Sequence, residues 1–107
     1  MKKRIYLLST LLPVLGFLFV PPALSAEADL VKAEKVYKRS CATCHGKQGE
    51  KPAMGESKII NQLKPEEIST ALSERKAGNI TGAGSPAKQR LSEQDIHNLS
   101  EYIQTLK

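Results

Sequence analysis

The sequence predicts a small all-α domain that follows a removable export signal. Three stretches repeat apolar residues at helical spacing, and no stretch alternates apolar and polar residues convincingly enough to indicate a strand. Glycines and prolines are concentrated between the helical stretches, where they favour loops. With 107 residues, the chain has room for one domain.

The first 26 residues have the three-part organisation of a secretory signal peptide. Basic residues at positions 2–4 precede an apolar run over residues 5–20, and small residues follow within positions 21–26. We expect cleavage within residues 25–28. Residues 27–107 are therefore predicted to form the mature domain.

An uncleaved membrane anchor is the alternative interpretation of this segment. A transmembrane helix needs about 20 apolar residues, whereas this run is shorter and is interrupted by Pro13 and Gly16. No second apolar run follows it. The mature protein is therefore expected to be periplasmic and not inserted in a membrane.

The charge balance argues against nucleic acid as a partner. The chain carries 16 Lys and Arg against 11 Asp and Glu, a formal charge of +5. Residues 1–26 hold three of the bases and no acid, so the remainder carries +2. Nucleic-acid binding usually needs a dense basic stripe. A mild positive rim facing an acidic protein partner is the most that this charge supports.

The first helix is predicted over residues 28–39 and leads directly into a cysteine motif. Its apolar side chains lie near one side of the helix: Leu30, Val31, Val36 and Tyr37. Residues 46–62 are then expected to form a loop with a short helical piece, because Gly46, Gly49, Pro52 and Gly55 interrupt any regular pattern.

Two further helices follow, and each has recognisable end signals. Pro65 suits the first position of a helix, and Gly78 suits the residue that ends it. Residues 79–90 are predicted to be a loop. Ser92 and Asp95 form a variant of the capping box that starts the last helix. The apolar face of that helix recurs at helical spacing: Ile96, Leu99, Tyr102, Ile103 and Leu106.

Residues 41–45 have the sequence Cys-Ala-Thr-Cys-His, which is typical of covalent haem attachment. Three residues of separation place the sulfurs of Cys41 and Cys44 on one side of a helical turn, where each can add to a vinyl group of the same porphyrin. His45 is then held beneath the ring and can bind the iron. A haem would also supply apolar mass to a domain that contains no Trp.

Three other kinds of site use closely spaced cysteines. A structural disulfide is possible in an exported protein, although a two-residue spacer suits a redox or metal pair better. A thioredoxin-like redox pair needs a βαβ context, which the sequence lacks. A zinc site needs two more ligands, and His97 is the only further Cys or His of the mature chain.

The chain resembles the class I cytochromes c and is most similar to the small bacterial cytochromes c-553, over about residues 28–107. The resemblance includes the cysteine motif and five positions of the first and last helices: Ala33, Tyr37, Leu99, Tyr102 and Ile103. It implies a small cytochrome c fold, in which three to four helices wrap around one covalently bound haem c and the terminal helices cross at these residues.

The resemblance also implies roles at the site. His45 would be the proximal iron ligand, and a loop carbonyl, for which Pro52 is the nearest candidate, would bind its second imidazole nitrogen. The protein would carry single electrons and would not be an enzyme. Its partners would be acidic or membrane-bound respiratory components, reached through a mild basic rim: Lys47, Lys51, Lys58 and Lys88.

One departure from the family concerns the sixth iron ligand. The family supplies a methionine from the loop before the last helix, but this loop contains none, and Gly84 falls where the ligand is expected. Met54 is the candidate replacement after signal removal. His97 is predicted to point outward on its helix, and Lys88 would bind only if deprotonated, whereas loop lysines are usually solvated. The fourth alternative is an open position.

An open sixth position would change the function. The alternative to a carrier is a five-coordinate haem protein that binds or senses nitric oxide, carbon monoxide or peroxide. A peroxidase-like side activity is a weaker alternative, because the loop offers no obvious acid–base histidine. The cysteine motif is common to all three hypotheses and does not separate them.

Overall fold

The computed structural model describes residues 27–107, together with Pro13 and Gly16 as isolated positions. The predicted signal peptide otherwise lies outside the described residues. Within 27–107 the chain is helical and has no strand. The elements are α1 (Leu30–Ser40), α2 (Ala42–His45), 3-10 turns at Ala53–Gly55 and Ile60–Gln62, α3 (Pro65–Ala77), α4 (Ser85–Gln89) and α5 (Glu93–Gln104). The predicted all-α class is confirmed.

The core lies where α1 and α5 pack against each other, and α3 also packs against α5. Ala33 and Leu99 are each only 1% exposed, and the small side chain of Ala33 lets the two helices approach closely. The rings of Tyr37 and Tyr102 have centroids 5.6 Å apart and are inclined by 56°, a favourable tilted arrangement. The predicted crossing of the terminal helices is confirmed.

Burial on α1 is narrower than its apolar pattern predicts. Ala33, Val36 and Tyr37 are buried, but Leu30 and Val31 remain 43% and 66% exposed. Both exposed side chains belong to the first turn, before the residues that pack against α5. The buried contact of α1 therefore uses only part of the apolar side that the pattern predicts.

The predicted helix ends are confirmed. Asp95 donates its N–H to the Ser92 hydroxyl and accepts the Ser92 N–H, each at 3.0 Å, which completes the capping box of α5. Pro65 is the first residue of α3, and Gly78 ends that helix with a left-handed φ of 83°. A residue with a Cβ would be strained in that conformation.

The segment predicted to be a loop over residues 79–90 contains the short helix α4. Gly82 donates its N–H to the buried hydroxyl of Ser85 at 2.7 Å, which fixes the start of the helix. Helix α4 packs against α3, and the Lys76 ammonium donates to the Leu91 carbonyl just beyond α4. These contacts stabilise a five-residue helix that has little stability of its own.

Candidate functional site

The cysteine motif lies on a separate helical turn at the end of α1. Cys41 donates its N–H to the Tyr37 carbonyl at 2.8 Å and so ends α1. Its own carbonyl accepts the N–H groups of Cys44 and His45 at 3.2 and 3.0 Å. Residues three apart on a helix share a face, so the two thiols lie on the same side of this turn, as the spacing predicts.

The two thiols are both free but differ in environment. Cys41 is half-buried against the core, whereas Cys44 is exposed. Burial raises the pKa of the Cys41 thiol to about 11, and the positive charge of Lys88 acts in the opposite direction. The neutral thiol therefore predominates at physiological pH.

The imidazole of His45 has an unused, buried nitrogen. Nδ1 is inaccessible to solvent and has no hydrogen-bond partner. Burial, followed by the positive charges of Lys88 and Arg75, lowers the pKa of His45. The neutral imidazole, which is the form that binds metals, is therefore favoured.

The expected hydrogen bond between the Pro52 carbonyl and His45 is absent from the described residues. Pro52 instead accepts the Gly55 N–H at 3.0 Å, because the chain turns into a 3-10 helix directly after it. The prediction of Pro52 as the partner of the second imidazole nitrogen was wrong for this structure.

The chain that leaves His45 is held by a buried hydrogen bond from α1. Tyr37, which is 0% exposed, donates its hydroxyl to the Gly46 carbonyl at 2.7 Å. Gly46 has φ 84°, and a Cβ there would collide with the Glu50 carboxylate. Because Tyr37 also packs in the core, the turn after the motif is tied to the crossing of α1 and α5. The sequence pattern predicted that Tyr37 packs in the core but did not predict this hydrogen bond to Gly46.

The remaining predicted site residues are dispersed. Met54, the candidate sixth ligand, is 76% exposed in the 3-10 turn that follows Pro52 and has a φ of 55°, which is uncommon for a residue other than glycine. His97 is exposed on α5, as predicted. Lys47, Lys51 and Lys58 are exposed members of the predicted basic rim.

Lys88 does not behave as a rim residue. It is half-buried, and its ammonium nitrogen lies 2.7 Å from the point that a Cβ on Gly84 would occupy. The four-residue spacing of Gly84 and Lys88 was the sequence signal for this proximity, because residues at that spacing are neighbours on a helix. The prediction that Lys88 is solvated on the rim was wrong.

Comparison with known proteins decides the family. The cytochrome c family model matches residues 30–107, which is most of the chain and nearly all of the described part. The chain belongs to the cytochrome c family.

Two curated cytochromes illustrate this similarity. The chain is 41% identical over 83 residues to a cytochrome c-553 of Helicobacter pylori, an alignment that covers 77% of this chain and 86% of that protein. It is 36% identical over 91 residues to cytochrome c-554(547) of Halothiobacillus neapolitanus, which covers 74% and 98% of the two chains. These matches support a small class I cytochrome c.

The residues at the motif fit the haem c that the cytochrome c family carries. Two free thiols one helical turn apart suit two thioether bonds to one porphyrin edge, and they are followed directly by a histidine. The buried Nδ1 shows that the protein itself does not saturate this imidazole. Within residues 27–107 no group of three or more His, Cys, Asp or Glu is arranged to hold a metal ion.

Proposed function

We propose that residues 27–107 form an exported electron carrier whose single haem is attached through Cys41 and Cys44 and ligated by His45. The observation that carries this proposal is the conjunction, within one helical turn, of two unpaired thiols and an imidazole with a buried, unpartnered nitrogen. Membership of the cytochrome c family supports single-electron transfer as the activity.

The attachment chemistry needs no oxidant. Cys41 and Cys44 would hold the haem through thioether bonds, each formed by addition of the thiol S–H across a vinyl group with no atom lost. The bound haem then supplies one-electron chemistry at its iron. The protein's part is to hold His45 and both sulfurs on α2, which is fixed to the core through Tyr37 and Cys41.

The exposed side of the motif is the proposed route for electrons. Cys44 is exposed, so the porphyrin edge attached to it would lie near the surface. The exposed lysines 47 and 51 follow within the next residues, and Lys58 lies further along the same loop. We propose that this basic edge meets an acidic redox protein or an acidic membrane-bound respiratory component.

Export is the second part of the proposal. The three-part pattern of residues 1–26 supports signal cleavage and a periplasmic location. In the part of the chain that the structure describes, no helix is long and apolar enough to cross a membrane. N-terminal sequencing of the protein isolated from a periplasmic fraction is expected to begin between positions 26 and 29. A chain that starts at Met1 in the membrane fraction would contradict this part.

The similar proteins do not favour the five-coordinate sensor, and the peroxidase-like activity stays a hypothesis. The similar proteins are cytochromes c-553 and c-554, which support electron transfer and do not favour ligand sensing.

A spectroelectrochemical titration tests the carrier function. The purified protein is expected to give one reversible one-electron transition, with the iron in the same spin state in both oxidation states. His45→Ala should abolish this transition, while His97→Ala, an exposed control on α5, should leave it in place. An irreversible transition, or a change of spin state on reduction, would contradict the proposal.

A further inference from the structure

Met54 is the most exposed large apolar side chain among residues 27–107. It is 76% exposed, ahead of Val31 at 66%. Partly buried apolar side chains such as Ile60 and Leu63 pack against the core, but Met54 does not belong to that set. The thioether side chain therefore projects from the surface, whereas a methionine more often fills a gap in a core.

The backbone at Met54 has a conformation that its side chain disfavours. Its φ is 55° and its ψ is 22°, which lie in the left-handed region, and Gly55 follows with φ 72°. Within residues 27–107, Met54 is the one residue other than glycine with a positive φ. A bulky residue rarely occupies this region, whereas glycine does so without strain. Met54 makes no core contact that would offset the strain.

Hydrogen bonds on both sides of Met54 fix this turn. Ala53 donates its N–H to the Ser57 hydroxyl at 2.7 Å, and the Ser57 N–H returns to the Ala53 carbonyl at 3.3 Å. Gly55 donates its N–H to the Pro52 carbonyl at 3.0 Å. The methionine is therefore displayed by a preorganised turn, which reduces the entropy lost when a partner binds.

The turn is joined to the segment that carries the haem-attachment motif. The 3-10 turn Ala53–Gly55 packs against α2, which includes Cys44 and His45. The Lys51 N–H donates to the His45 carbonyl at 2.9 Å, so the chain leading into the turn is also bonded to the motif. A protein that covered Met54 would therefore lie beside the helix to which the haem would be attached.

The charged groups on both sides of Met54 in the chain are mainly basic. The lysines of the basic edge are exposed, and the ion pairs among residues 27–107 include none of them. The Glu50 carboxylate folds back onto its own loop, where it accepts the Gln48 N–H at 2.9 Å. Glu56 is the other acid between positions 46 and 58, so lysines outnumber glutamates there by three to two. This segment therefore combines an apolar protrusion with a surplus of positive charge.

We propose that Met54 is the apolar anchor through which the protein docks onto an acidic redox protein, with the basic edge as the charged border of the contact. Interfaces commonly have an apolar centre and a polar rim, and methionine is enriched in them because its side chain adapts to different pockets. The expected partner offers an apolar depression bordered by carboxylates. This inference rests on the proposed electron-carrier function and names the contact by which that function is exercised. The strained backbone at Met54 is then retained for binding and not for folding.

Glycine at position 54 separates binding from folding. Met54→Gly relieves the left-handed strain and removes the side chain, so its urea midpoint should rise while its electron exchange with the partner weakens. The probes are washed membranes and, in parallel, the periplasmic fraction of the source organism, each mixed with purified cytochrome in either oxidation state. The cytochrome concentration that gives half the maximal rate should rise about tenfold in Met54→Gly, with little change in the maximal rate.

Further variants control for strain and for general surface effects. Met54→Gln keeps the length and the strain but removes the apolar character, so it should weaken exchange without raising the urea midpoint. Met54→Leu keeps an apolar anchor and should retain most of the wild-type exchange. Val31→Ala, at an exposed apolar position on α1, should change neither quantity.

Four results would overturn the proposal. Met54→Gly could exchange electrons as the wild type does, or the wild type could exchange them with neither fraction. A sulfur–iron absorption band that disappears in Met54→Leu would assign the side chain to the iron. Binding to vesicles of anionic phospholipid that Met54→Gly abolishes would assign it to a lipid surface. A wild type without a reversible one-electron transition would instead refute the proposed function, so the two failures are distinguishable.

Discussion

The hydroxyl of Tyr37 and the carbonyl of Gly46 form a buried hydrogen bond directly beside the haem-attachment motif. Tyr37→Phe leaves that carbonyl without its partner, which costs about 1–3 kcal/mol. We expect the free energy of unfolding of the holoprotein, measured in urea, to fall by that amount. Tyr102→Phe, which alters a less buried ring, is the control and should change it by less than about 0.5 kcal/mol. Equal effects of the two variants would contradict this role.

The same hydroxyl predicts how stability responds to alkaline pH. Burial raises the pKa of Tyr37 from 10.0 to about 12. Because the folded state favours the protonated phenol, this contribution is complete below pH 10 and is lost as the pH rises through 12. Urea midpoints of the wild type should therefore fall over this range. Tyr37→Phe should show a smaller fall, and an identical fall would contradict the assignment.

The contact between α1 and α5 depends on a small side chain. Ala33 is 1% exposed in the core cluster, so Ala33→Leu forces extra volume between the helices and should cost about 1–3 kcal/mol. Thermal unfolding of the holoprotein measures this loss. Val31→Leu, at a position that is 66% exposed on the same helix, should leave the transition nearly unchanged. A stabilising Ala33→Leu would show that the crossing is loosely packed.

Elements whose ends are fixed locally were predictable from the sequence. Ser92 and Asp95 act on each other, and Pro65 and Gly78 act on the residues beside them. Helix α3 begins and ends, and α5 begins, where these residues indicate. The cysteine motif is local in the same way, because its spacing alone places both thiols on one helical turn.

Features that depend on distant contacts were not predictable. Helix α4 is stabilised by packing on α3, and the exposure of Val31 follows from where α5 crosses α1. The half-buried position of Lys88 beside Gly84 depends on the formation of α4. A pattern read along the chain carries the residue types at these sites but not their three-dimensional neighbours.

For the molecule as a whole, the net charge of +2 over residues 27–107 is small, so the local basic edge is expected to dominate encounter rates. Oxidation of the reduced protein by ferricyanide, an anionic probe, should slow as ionic strength rises, because salt screens charges beyond about 10 Å. The triple variant Lys47→Glu, Lys51→Glu and Lys58→Glu should slow it further and remove most of the salt dependence. A cationic cobalt complex should respond in the opposite direction. Equal rates for wild type and variant would contradict a role for this edge.

Covalent attachment of one haem is the claim on which the site and the proposed function both depend. The most direct measurement is extraction of the purified protein with acidified organic solvent, followed by the haem spectrum and intact mass of the protein fraction. We expect the haem to stay with the wild type and with Ser40→Ala, an exposed neighbour of the motif. It should be extracted from the double variant Cys41→Ala, Cys44→Ala. Haem that leaves the wild type, or that stays with the double variant, would contradict the account.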